Sequence, residues 1–304
     1  MIDREMSKAP KIYILVGYGD ESETFVRSRK LWSDYMKNHN ANFYFTILCP
    51  NLDSDEVLVD GDELRVGYEQ SHASVSDFSS YEKNRTWSYL ERIKLIKRRV
   101  ITSKYLLSKN SEPFWVLYTT VTSAISLQRI KQIIENNDCS NFFGGAPIFK
   151  NMPYEESYFV MVSGAGQLFS SDVLSLMVNR CESLSLDCLD DVWTSLILAD
   201  IPRTPFKRYD FVSEKSYSPI DAINIGERIR AALDAGYFHF RVKSALNNVI
   251  KREDLDPLIL SQIFEAIKES EKNQEIKLNS LLAFDTALSS LNADSKLPSI
   301  VSSL

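Results

Sequence analysis

The stretch Phe114-Trp115-Val116-Leu117-Tyr118-Thr119-Thr120-Val121-Thr122-Ser123-Ala124-Ile125 decides how the chain is read. An apolar, aromatic and β-branched run without Gly or Pro predicts a buried central strand. Small hydroxyl residues follow it, and Ser126 to Ile134 takes up a helical pattern. In an open α/β sheet, ligands bind where such a strand ends and the chain turns into the next helix. The strand end at Thr120 to Thr122 is therefore the first place to look for function.

Outward from that strand, the amino-terminal side supplies a βαβ beginning. Lys11 to Gly17 is a short apolar strand that opens into a loop at Gly17 and Gly19. Thr24 to Asn38 has helical period, and Asn42 to Cys49 is a second strand stopped by Pro50. Short strands are expected at Val57 to Val59 and Leu64 to Tyr68. A long basic helix follows over Trp87 to Lys109, carrying Arg92, Lys94, Lys97, Arg98 and Arg99. Its stripe of Leu90, Ile93, Ile96, Val100 and Ile101 faces inward, so most of the basic residues are expected to face water.

On the carboxyl-terminal side, Asn141 to Phe149 is read as a segment turning at its glycines. Tyr158 to Val162 is read as a strand ending in a Ser163-Gly164-Ala165-Gly166 loop, before a helix from Phe169. Asp190 and Asp191 precede an apolar helical stretch, Val192 to Ala199, where a capping role is the plain alternative to chemistry. Phe206 to Val212 is an edge strand, and Ile225 to Ala235 is a helix stopped by Gly236. In Tyr237 to Lys243, alternation puts His239, Arg241 and Lys243 on one side of an extended segment. Three such groups together would attract an anion. The whole predicts an α/β fold with a mostly parallel central sheet flanked by helices. It occupies residues 1–250, and 251–304 form a helical tail.

Composition narrows the function. The 304 residues are 44% hydrophobic and 25% charged, which suits an ordinary globular protein. A net charge of −6 argues against a nucleic-acid binder, though an acidic protein can still hold a local basic pocket. Cys49, Cys139, Cys181 and Cys188 show no metal-binding spacing and are expected as reduced thiols of a cytoplasmic protein. No run approaches the roughly 20 apolar residues of a membrane span, and no secretory leader is expected. Peripheral contact with the inner face of a membrane and homo-oligomerisation stay open.

Four segments then resemble, in order, the Fringe-like β-1,3-glycosyltransferases, a GT-A family. Arg27-Ser28-Arg29-Lys30-Leu31-Trp32 is similar to the helix after the family's first strand. Trp115-Val116-Leu117 and Ser126-Leu127-Gln128-Arg129-Ile130 flank the place of its DxD metal motif. Ser163-Gly164-Ala165-Gly166 resembles its Gly-rich loop, and Leu189-Asp190-Asp191-Val192-Trp193 resembles its acidic segment. The resemblance spans roughly residues 11 to 245. It implies a GT-A-like, Rossmann-like fold, a nucleotide-sugar donor such as a UDP-sugar, and a glycan or lipid-linked glycan acceptor. It also implies a role in bacterial surface polysaccharide synthesis.

By position, the resemblance makes Asp191 the catalytic base of an inverting transfer, with Asp190 the acidic residue before it. Val16, Tyr18 and Asp20 would lie against the nucleotide, and Gly164, Ala165 and Gly166 would approach the donor sugar. Trp115 or Trp193 could stack on an acceptor sugar. The departure is at the metal motif, where Thr120-Val121-Thr122 replaces three carboxylates. Neutral hydroxyls cannot supply the charge that holds Mn²⁺ or Mg²⁺ against a diphosphate. Three explanations remain. The first is a metal-independent transferase whose leaving group is held by the cationic His239, Arg241 and Lys243, with Arg27 and Arg29 second, while Thr120 and Thr122 line the donor site. The second is a non-catalytic sugar-nucleotide or glycan-binding relative. The third is a displaced metal site using Asp60, Asp62 or Asp77.

Overall fold

A computed structural model describes residues 10–18, 22–49, 52–53, 55–67, 89–151, 158–182, 189–213, 225–244 and 252–272. The quoted stretch forms strand β5 (Phe114–Thr120), a two-residue turn, and the short strand β6 (Ser123–Ile125). Before it come β1 (Lys11–Gly17), helix α1 (Glu23–Met36), β2 (Asn42–Cys49), β3 (Val57–Asp60), β4 (Glu63–Gly67) and helix α2 (Tyr89–Lys109). After it come α3 (Leu127–Glu135), β7 (Phe143–Asn151), β8 (Tyr158–Ser170), α4 (Ser171–Asn179) and α5 (Asp190–Ile197). The chain continues through β9 (Arg203–Pro205), β10 (Arg208–Ser213), α6 (Ile225–Asp234), β11 (His239–Ser244) and α7 (Arg252–Lys272).

Eight strands form one sheet in the order β3-β4-β2-β1-β5-β8-β7-β9, and β10-β11-β6 form a second. The β4-β2, β2-β1, β1-β5 and β7-β9 pairings are parallel, whereas β8 runs against both its neighbours. Strand order reverses between β1 and β5. The crevice outside their carboxyl ends is the usual binding place in an open α/β sheet. This is the expected α/β architecture, a large and mostly parallel sheet flanked by helices.

Alternation on the central strands explains why both faces are covered. Ile12, Ile14 and Val16 of β1, with Trp115 and Leu117 of β5, point into one core cluster. Tyr13 and Leu15, with Phe114, Val116 and Tyr118, point into the other. Near-continuous apolar strands need helices on both sides, as period-two alternation with no polar face requires. Trp115 and Trp193 are fully buried in these clusters, so both serve as core.

Three segments differ from the sequence reading. Ser163-Gly164-Ala165-Gly166 is the interior of β8, which runs unbroken to Ser170 instead of ending in a loop. Gly144 and Gly145 likewise lie within β7, where a Cβ on Gly144 would meet the Phe142 and Phe206 rings at 2.8 Å. These glycines admit neighbouring groups; they do not turn the chain. The third is α7, which the sequence reading placed in a helical tail outside the α/β fold. Its Leu255, Ile259, Leu260, Ile263, Phe264 and Ile267 form a helical stripe buried in the first core cluster. Phe264 packs on Trp32 and Tyr35 at centroid distances of 5.2 and 4.9 Å.

The end of α7 also ties down the start of α3. The Glu271 carboxylate accepts hydrogen bonds from the Tyr35 and Ser126 hydroxyls, both at 2.8 Å, and from the Gln128 N–H at 3.3 Å. A carboxylate there satisfies orphan amides and complements the helix dipole. Because Phe264 is core, Phe264→Ala should lower the stability of the domain by about 3–5 kcal/mol in denaturant unfolding. A change below 1 kcal/mol would return residues 252–272 to an accessory role.

Candidate active site

The carboxyl ends of β1 and β5 and the middle of β8 make one row. Gly17 is opposite Thr120, and Thr119 is opposite Gly166. The Thr119 hydroxyl donates to the Ala165 carbonyl at 2.7 Å, which locks β8 to the strand end. In the turn, the Val121 N–H donates to the Gly17 carbonyl at 3.0 Å. The Val242 N–H donates to the Thr122 carbonyl at 2.9 Å, joining β11 to the same place. Thr120 Oγ1 lies 3.0 Å from Ser123 Oγ and 3.5 Å from Thr122 Oγ1. Thr120 and Thr122 therefore give the turn a rim of neutral hydroxyls.

Asp190 and Asp191 open α5 against this row. Leu189 is the N-cap, and its side chain makes no capping hydrogen bond. Asp191 accepts from the Val192 N–H at 2.9 Å and from the Gly164 N–H at 3.3 Å. A Cβ on Gly164 would lie 3.2 Å from Asp191 Cβ and 3.6 Å from both Asp190 oxygens, so the glycine lets the acidic pair approach the strand. Burial, and then the Asp190 charge beside it, hold the Asp191 carboxyl above the usual carboxylate range. A partly satisfied carboxylate of raised basicity suits proton abstraction. The contact with the Val192 N–H also gives Asp191 a modest helix-capping role.

The residue that fixes this pair is Arg99, which the sequence reading left on a solvated face. Arg99 is buried and contacts the Asp190 carboxylate at 2.8 Å and Thr194 Oγ1 at 3.2 Å. It also donates to Gln167 Oε1, and its guanidinium lies over the Tyr118 ring at 5.0 Å. Helical spacing carried the signal: position 99 lies three residues after Ile96 and four before Ser103, both buried. Gln167, also missed, donates to the Val162 carbonyl at 2.8 Å and so spans the two neighbours.

The other sequence candidates are placed differently from the expectation. Val16 is wholly buried in the core and cannot line a donor site. Tyr18 is 4% exposed. Its ring lies beneath the Arg29 guanidinium at 4.5 Å and edge-on to Phe45, so it is not open for base stacking. Arg29 itself donates to the Tyr18 hydroxyl at 2.7 Å and pairs with Glu63. Arg27 pairs with Glu23 and Asp254 at the α1–α7 surface. Asp20 and Asp77 lie outside the described residues.

His239, Arg241 and Lys243 do alternate along β11, opposite Arg208, Asp210 and Val212. His239, however, is fully buried against β8, where a Cβ on Gly166 would lie 2.6 Å from its Cε1. Burial, with Arg208 and Arg241 nearby, pushes its pKa far down and is only partly opposed by the Ala165 carbonyl. The ring is therefore neutral, and the Ala165 carbonyl lies too far off line to close a well-formed hydrogen bond with either nitrogen. Arg241 is half-buried, and the Lys243 side chain lies outside the described residues. Ala165 is buried, and Gly166 makes room for His239 instead of a sugar.

The donor set at the turn does not fit Mn²⁺ or Mg²⁺, which take carboxylate oxygens. Among the described residues no group of three His, Cys, Asp or Glu could hold a metal. Asp60 pairs with Arg65 at 2.9 Å, and Asp62 accepts from Ser33 at 3.5 Å, both in the β3–β4 hairpin. Cys49, Cys139 and Cys181 are free thiols. No helix among the described residues is long and apolar enough to cross a membrane.

No protein-family model matches the sequence, and neither does any curated protein. Among solved structures, a glycosyltransferase involved in glycosylating the major capsid of PBCV-1 aligns at 13% identity with a TM-score of 0.40. The alignment covers 82% of this chain and 98% of that one. The galactosyltransferase LgtC, in complex with donor and acceptor sugar analogues, aligns at 12% identity and a TM-score of 0.41. It covers 84% and 95% of the two chains. Likeness at this level says nothing of activity.

Two titrations follow from the site. Above pH about 4, the unfolded chain has released the Asp191 proton while the folded chain still holds it, so stability falls as pH rises through that window. Asp191→Asn keeps an acceptor for the Gly164 N–H, so it should flatten that fall and leave the midpoint at pH 7 no lower than wild type. Below pH about 6.5 the unfolded chain protonates His239 and the folded chain does not, so stability falls as pH falls. Thermal unfolding of His239→Leu across pH 4.5–7 should lose that component; an unchanged profile would mean the imidazole is not buried as a neutral ring.

Proposed function

We propose that this chain is a glycosyltransferase that moves a sugar from a nucleotide-sugar, in the first instance a UDP-sugar, to a glycan hydroxyl with inversion. One observation carries the proposal: a half-buried carboxylate of raised basicity, Asp191, stands beside the strand ends at the sheet's topological switch point. The resemblance of the Asp190-Asp191 segment to the acidic segment of Fringe-like transferases supports the same role. Surface polysaccharide assembly as the setting rests on that resemblance alone.

The chemistry assigned to the site is a single displacement. Asp191 takes the proton of the acceptor hydroxyl as that oxygen forms its bond to the anomeric carbon. The bond from that carbon to the diphosphate oxygen breaks on the opposite face, and its electron pair leaves with the nucleoside diphosphate. Asp190, tied to Arg99, keeps the base in place and favours its protonated product by charge repulsion.

Thermal unfolding with UDP, GDP and CMP, each with Mn²⁺ or with EDTA, tests donor binding. A ligand that binds only the folded state adds about 2.7 kcal/mol at a hundredfold excess over its Kd. The proposal expects a shift with one nucleotide that survives EDTA. It further expects Asp191→Asn to keep that shift while turnover of the matching nucleotide-sugar falls by about 10²–10⁴-fold. Binding with no turnover in the wild type would favour a non-catalytic sugar-nucleotide-binding module. No nucleotide shift would overturn the proposal.

A further inference from the structure

The switch point holds a cation that the sequence reading did not select. Arg98, on α2 next to Arg99, lies across the carboxyl end of β1. Its Nη1 donates to the Tyr18 carbonyl at 3.0 Å and to the Thr46 carbonyl at 3.5 Å. Gly17 makes room for it: a Cβ there would lie 2.7 Å from Nη2 and 3.2 Å from Cζ. Three described arginines on the elements around it have carboxylate partners. Arg29 pairs with Glu63, Arg65 with Asp60 and Glu63, and Arg99 with Asp190. Among the described residues Arg98 has only the two backbone carbonyls. Desolvation and the like charge of Arg99 disfavour its ionised form, with Asp190 only partly offsetting them. A guanidinium held half-buried beside a second one, without a carboxylate of its own among the described residues, is a charge waiting for an anion.

The residues around it agree. Gly17 pairs with Thr120, so the Thr120 hydroxyl borders the strand end over which Arg98 lies, and Thr122 Oγ1 is 3.5 Å from it. A carboxylate triplet there would repel a diphosphate that no metal bridges; threonines do not, and they can donate to phosphate oxygens.

We infer that Arg98 is an anion receptor at the β1–β5 switch point, taking phosphoryl oxygens of a nucleoside diphosphate with the Thr120 and Thr122 hydroxyls beside it. For the nucleotide this rests on the transferase reading; for the anion it does not. Arg98 then supplies, as a fixed monovalent fork, part of the positive charge that neither the turn nor His239 provides.

Inorganic pyrophosphate and UDP, both in EDTA, are the probes, read by calorimetry on the full chain. The wild type should bind both, UDP more tightly. Arg98→Met should weaken both by about tenfold or more, and Arg98→Lys, which keeps the charge without the fork, by less. Because Arg98→Met also removes two hydrogen bonds to main chain, a second readout uses the wild type. Phenylglyoxal labelling of Arg98, located by mass spectrometry, should be suppressed by pyrophosphate. Affinity unaltered in Arg98→Met, labelling unaltered by pyrophosphate, or no binding of either probe would overturn the anion site. Pyrophosphate binding with UDP no tighter would keep the anion site and make free phosphoryl compounds its ligand. Intact binding of both probes with no sugar transfer would overturn the transferase reading alone.

Discussion

A guanidinium cannot be buried without partners, and Arg99 shows how much structure that requirement organises. Desolvating a charge costs several kcal/mol, and removing one partner of a buried pair costs about 3–5 kcal/mol. Arg99 is accordingly met by Asp190, Thr194, Gln167 and the Tyr118 ring, which belong to α5, β8 and β5. One side chain from α2 thereby holds three separate elements in register. Asp191 stands beside Asp190 for that reason, and among the described residues its own carboxylate has two backbone donors and no cation of its own. The Asp191 carboxyl is held above the usual carboxylate range by its burial first and by the neighbouring Asp190 charge second.

The second organising contact is at the other side of the sheet. Glu271 gathers Tyr35, Ser126 and the first turn of α3, while His39 lies 3.5 Å from its other oxygen. The turn at Thr120 to Thr122 and the start of α3 are separated only by β6, so the end of α7 braces the strand end where the candidate site lies. This is why a polar helix late in the sequence belongs to the same body as β1 and α1. Its apolar stripe is interrupted by enough charge to look solvated until Trp32 and Phe264 are seen in contact.

Glycine was the least legible residue type. Without a Cβ it is equally at home in a turn and in a strand approached closely by another group. Gly164 and Gly166 suggested a loop because nothing local says otherwise. Their purpose is to receive Asp191 and His239, which lie 27 and 73 residues further along the chain (191 − 164 and 239 − 166). The basic helix misled for a related reason. Charge predicts solvent in general, yet Arg99 shares the helical face of Ile96, Val100 and Ser103. Had period been weighed above polarity, that residue would have been found.

From its sequence alone, this protein's α/β class, its central strand, its βαβ opening and the position of the acidic pair at a helix start could be read. Those features depend on local period and on residues that bury or cap within a few positions of themselves. The tertiary structure decided which charged groups face one another. It put Arg98 over Gly17, set Arg99 on Asp190 and buried His239 as a neutral ring behind Gly166. Ionisation and partnership are set by burial and by neighbours distant in the chain, and no local pattern records them.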